Sequence, residues 1–177
     1  MTAKKTKTTI TIVALAMVVI AAIISSVFVL VALKKEATNT TNNKNSQVNV
    51  TASEITKEVV TKMKYKNISE LDSGNISGHF VVPEGSVTQS SVYISTAHDS
   101  ALEISCFKLS DESYKAAFDE AVEKHMITKA NGFRDIPDEE AVINNYVSSY
   151  YKGFVFVAVA DNADVAAKYF VEIVDEG

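Results

Sequence analysis

"SSVYISTAHDSALEISCFKLS", Ser90 to Ser110, reads as two β-strands joined by a polar turn. Leu102, Ile104 and Cys106 alternate with Glu103 and Ser105. That period of two predicts a strand with one apolar face and one polar face. The turn between the strands is "AHDS", Ala97 to Ser100. Ser110-Asp111 then caps a long helix carrying Tyr114, Phe118, Ala121, Val122, His125 and Met126 along one side, with a stop at Asn131-Gly132.

A second unit of the same kind follows. "IPDEEAVINNY" opens a short helix, with Pro137 in the first turn and Asp138, Glu139 and Glu140 placed to favour the positive end of its dipole. "VSSYYKGFVFVAVAD", Val147 to Asp161, supplies a hairpin turning at Lys152-Gly153. Phe154 to Ala160 is apolar throughout yet too short to cross a bilayer, which marks a central, doubly covered or strongly buried strand. Asp161 is placed to cap a last helix with Val165, Tyr169 and Ile173 on one face.

Before these units, Thr51-Ala-Ser-Glu54 has capping-box spacing. Ile55, Val59 and Met63 recur every four residues, predicting a first helix over about residues 53–65. From Asn67 to Gln89 the apolar residues are scattered among turn formers, and one helical turn within irregular chain is expected. The fold class is therefore α+β. The expectation is a two-layer domain, α-ββα-α-ββα, with a roughly four-stranded antiparallel sheet and helices on one face.

The chain upstream is of another kind. From Ile10 to Leu33 no residue is charged, and 24 residues as a helix would reach about 36 Å, enough to cross a hydrocarbon core of about 30 Å. The run exceeds a signal peptide's apolar region, and lysines stand where small residues would mark a cleavage site. It reads as an uncleaved anchor. Lys4, Lys5 and Lys7 precede it, while Lys34 and Lys35 follow beside Glu36, which favours a cytoplasmic tail and an exported C-terminal part. The expected organisation is a tail over 1–9, a transmembrane anchor over 10–33, an Asn/Thr-rich tether over 34–52 and an extracytoplasmic domain over 53–177. Asn39, Asn49, Asn67 and Asn75 begin N-x-S/T patterns, which an Asn/Thr-rich chain also meets by chance.

Charge divides at the anchor. Residues 1–35 hold five lysines and no acid; residues 36–177 hold the other 12 basic groups and all 22 acidic ones, a net of −10. Such a domain repels phosphate backbones, so nucleic acid is not expected as a partner. A single cysteine excludes an intramolecular disulfide, and the core must hold the domain alone.

"ALEISCFK" and "YYKGFVFVAVADN", within a run covering about residues 53–173, resemble domain of unknown function family 4358. The resemblance implies a Gram-positive bacterial domain exported behind an N-terminal anchor. It also implies proximity to envelope polysaccharide O-acylation. It implies no activity, and where many relatives carry a basic residue late in the long helix, this chain has His125.

Chemistry is sparse along the sequence. His79, His98 and His125 lie far apart, without the short ligand spacing typical of zinc sites, so no metal or other cofactor is expected. Ser95, His98 and Asp99 are neighbours in a turn, whereas triad members converge from separate elements. Cys106 on its strand reads as a small hydrophobe. "DNAD", Asp161 to Asp164, lacks the calcium-loop pattern and reads as a cap. No catalytic residue is assigned. Tyr150 and Tyr151, beside the second hairpin turn, are the candidate binding surface, since exposed tyrosines make good contacts for sugars and proteins. The expected function is a membrane-anchored, non-enzymatic binding or adaptor domain at the bacterial cell envelope. Its partner would be an envelope protein or glycan. The alternative is an accessory or catalytic component of envelope polysaccharide modification.

Overall fold

The computed structural model describes residues 49–177. The predicted tail and anchor, and all but the last four residues of the tether, lie outside that range. Among the described residues no helix is long and apolar enough to cross a membrane.

The elements run in the order α1 (Ala52–Met63), β1 (Ile68–Glu70), α2 (Ser73–His79), β2 (Val87–Ser95), β3 (Glu103–Leu109), a 3-10 turn (Glu112–Tyr114), α3 (Lys115–Phe133), α4 (Pro137–Asn144), β4 (Val147–Tyr151), β5 (Phe154–Val159) and α5 (Ala163–Glu176). The five strands form one antiparallel sheet in the order β1-β2-β3-β5-β4. The α+β class holds, but the sheet has five strands where four were expected. The fifth is β1, which pairs Ile68 with Ser95 and Glu70 with Tyr93. Three residues are too few to display a period, so only pairing with the edge of β2 makes this segment a strand.

Helices cover both faces of the sheet, where one covered face was expected. On one side Ile104, Cys106, Phe154, Phe156 and Ala158 pack with Ile55 and Val59 of α1 and with Ala166, Phe170 and Ile173 of α5. On the other, Phe107, Leu109, Val155, Val157 and Val159 pack with Phe80, with Phe118, Val122 and Met126 of α3, and with Ile143 of α4. The physical reason is visible in β5. All six of its residues are buried, and a strand apolar on both sides needs a layer on each. Burying a Val or Phe side chain contributes about 1.5–3 kcal/mol, so neither face can be left wet.

Local rules set most boundaries. Thr51 and Glu54 form the expected capping box, and Lys64 closes α1 in the left-handed region at φ 56°. Lys152 and Gly153 both have positive φ, 46° and 85°, as a two-residue turn matching the twist of its strands requires. Three expectations shift. Asn162, not Asp161, stands at the N-cap of α5, and no side chain caps it. The helix α3 runs through Gly132 to Phe133. In α5 the buried stripe is Ala166, Phe170 and Ile173, while Val165 and Tyr169 are only half-buried. Packing on the large ring of Phe156, 4.9 Å from that of Phe170, decides the rotation of the helix.

Candidate functional site: a buried carboxylate between two histidines

Glu103 opens β3 on the face that α3 covers, and its carboxylate has no solvent exposure. With Ser105 it was expected on a polar, half-buried strand face. Both are fully buried instead, because α3 lies across that face and seals it. An isolated carboxylate in such a place would be very costly. The chain surrounds it with donors. Ser105 Oγ donates to Oε1 at 2.9 Å. His125 Nε2 stands 3.0 Å from Oε1 and 3.1 Å from Oε2, and His79 Nε2 stands 3.0 Å from Oε2. Lys129 Nζ donates to Oε2 at 3.0 Å. Among the described residues no buried side-chain nitrogen or oxygen lacks a partner.

Three elements build this arrangement. His79 is the last residue of α2, and Phe80 after it is buried in the core, which pins that helix end. His125 and Lys129 are four apart on α3 and so lie on one face of it. The His125 ring stacks on Phe80 at 4.2 Å between centroids and meets His79 edge-on at 5.2 Å. Burial alone would push the Glu103 carboxyl up. Hydrogen bonds from His125 and His79, and the positive charge of Lys129, outweigh it and hold the group well below the usual carboxylate range.

The two imidazoles line an open pocket of about 600 Å³. One wall is Val81, Val82 and Pro83; the other is α3, through Glu120, Lys124 and Thr128. Val81 is 74 % exposed, an unusual position for a large apolar side chain in this domain. The Thr128 hydroxyl donates to the Lys124 carbonyl, so it is not aligned on either imidazole.

Spacing alone left the histidines isolated. The fold brings His79 and His125 together and leaves His98 exposed in its turn. Glu103 carried a weak signal, an acid in a strand flanked by buried positions, and nothing in the sequence pairs it with either histidine. Ser95 Oγ donates to the Asn67 carbonyl and accepts from the Ala97 amide, with no hydrogen bond to His98 or Asp99. Glu139 accepts from the Ala101 amide at 2.6 Å, so one acid of the α4 first turn ties down the loop before β3. Cys106 faces the opposite core, where burial pushes its thiol pKa up.

Tyr150 and Tyr151 lie on opposite faces of β4. Tyr150 packs at the edge of the α3 side, with Lys115 Nζ 5.8 Å from its ring centre. Tyr151 packs on the α5 side, donating its hydroxyl to Asp175 Oδ1 at 2.7 Å, while Lys152 pairs with the same oxygen at 2.8 Å. The two rings do not form a shared surface.

Comparison of the chain with models of known families, with curated proteins and with solved structures finds no match.

Proposed function

We propose that the chain is a single-pass, membrane-anchored extracytoplasmic protein of the cell envelope that acts by binding. Its ligand site is the pocket above His79 and His125. The observation that carries this reading is a recess lined by two imidazoles, with an exposed apolar side chain at Val81. A few polar groups converging in an otherwise apolar concavity are what a ligand site needs. The apolar run from Ile10 to Leu33 supports the anchor, and the lysines before it support export. The resemblance to domain of unknown function family 4358 points toward the same place in the cell.

A second reading, a component of envelope polysaccharide modification, is favoured by one feature. An imidazole oriented by a buried carboxylate is the arrangement that general bases use. Against it, no serine, threonine or cysteine among the described residues hydrogen-bonds either imidazole.

The test uses the full-length chain in cells. An impermeant maleimide should label Ser53→Cys and leave Thr8→Cys untouched; the reverse pattern overturns the orientation. A photoreactive side chain at Val81 should form a discrete adduct that is lost with Lys124→Glu. One placed at Lys57, on the opposite face of the domain, should form none. Equal adducts from both positions, or none from Val81, reject the pocket as the binding site.

A further inference from the structure

His79, Glu103 and His125 come from α2, β3 and α3, and the atoms they offer all lie within 4.8 Å of one another. Hydrogen bonding alone accounts for a satisfied carboxylate. Three details of the geometry go further. Both imidazoles face the carboxylate through Nε2, and either ring can move that proton to Nδ1 and present a lone pair instead. The Nε2–carboxylate separations are 3.0–3.1 Å. Two ligands held tetrahedrally at about 2.0–2.1 Å from zinc stand about 3.3 Å apart. Each imidazole–carboxylate pair would therefore open by a few tenths of an ångström while the two imidazole nitrogens, within 4.8 Å of each other, close on the ion. Finally, both imidazoles line the open pocket, whereas Glu103 is sealed behind them.

We propose that His79 Nε2, His125 Nε2 and the Glu103 carboxylate form a site for a divalent transition metal of the zinc class, with a pocket water as the fourth ligand. Two nitrogens and one carboxylate suit zinc and its neighbours better than calcium or magnesium, which take oxygen ligands. Three protein ligands and one open position are the pattern of sites that present a metal to something else. Each imidazole binds as the neutral ring, its Nε2 lone pair replacing the hydrogen bond to Glu103.

Lys129 gives the site a built-in competitor. Its ammonium neutralises Glu103 in the metal-free chain from 3.0 Å away. An entering dication repels that ammonium, which already stands 6.0 Å from the Phe133 ring centre and can move further over that ring. The site is thereby tuned to moderate affinity and exchange. This inference shares its pocket with the binding reading and rests on it only for what the metal would be presented to. The two fail separately, because metal binding is read on the purified chain and partner capture in cells.

The experiment takes the full-length chain, strips it with a chelator and titrates it with zinc against a chromogenic competitor. Cobalt is then added in place of zinc to read its visible ligand-field bands. One zinc per chain is expected, with cobalt bands showing low-symmetry nitrogen and oxygen ligation. His79 is partly exposed at a helix end, so His79→Gln should keep the native far-ultraviolet spectrum yet weaken zinc binding by at least about tenfold, the scale on which even outer ligand changes act. His98→Gln should bind as the parent chain does. Lys129→Met should bind about tenfold tighter, as removal of one neighbouring like charge implies. A parent chain that holds no zinc, or one matched in affinity by His79→Gln, overturns the site. A Lys129→Met chain that binds no tighter overturns the competitor role.

Discussion

Lys129 Nζ stands 3.0 Å from Glu103 Oε2, and the two side chains are 10 % and 0 % exposed. A buried pair of this kind is costly to assemble and more costly to break, since each partner shields the other's charge. Glu103→Gln keeps the shape and leaves the Lys129 ammonium uncompensated. It should destabilise the domain by about 3–5 kcal/mol. Glu103→Gln combined with Lys129→Met should recover at least about 1 kcal/mol of that loss. Urea unfolding followed by circular dichroism suits the measurement, because the chain has no tryptophan.

The same carboxylate predicts an acid-sensitive limb in the metal-free chain. Its folded pKa is depressed below the unfolded value of about 4.3, so the stabilisation is complete above that pH. It is lost as pH falls through the folded value, because the unfolded chain then binds the proton more readily. Unfolding midpoints measured from pH 7 downward should therefore drop more steeply in the parent chain than in Glu103→Gln. Parallel curves would remove Glu103 as the cause.

Two glycines should respond in opposite directions. Gly153 has φ 85° and open space around its Cβ position, so Gly153→Ala meets backbone strain alone and should cost about 1–2 kcal/mol. Gly132 lies inside α3, with nothing within 4 Å of a Cβ. Gly132→Ala should stabilise the domain by up to about 1 kcal/mol. Thermal midpoints of the two variants should bracket that of the parent.

Cys106 is fully buried, and desolvation raises its thiol pKa. Alkylation by iodoacetamide should be negligible in the native chain and should follow the global unfolding equilibrium as urea is added. Fast labelling without denaturant would place the thiol at an opening that this fold does not contain.

Local chemistry made much of the domain legible before its fold was known. The Thr51–Glu54 box, the Lys152-Gly153 turn, the alternation around Ile104 and the uninterrupted apolar run of β5 each act within a few residues, through hydrogen bonds and steric limits that sequence expresses directly. Short-range rules failed where burial came from elsewhere. Ile68–Glu70 became a strand because β2 offered an edge. Glu103 and Ser105 looked like a wet face and became dry because α3 closes over them.

The sequence by itself determined the α+β class, most of the helix and turn positions, the acidic domain's charge and the apolar run expected to anchor it. Only the tertiary structure decided that both sheet faces are covered, and that His79, Glu103, His125 and Lys129 meet. The reason is one of range. Propensity and periodicity are properties of neighbours along the chain, whereas a polar cluster is assembled by packing elements whose separation in sequence carries no record of their contact.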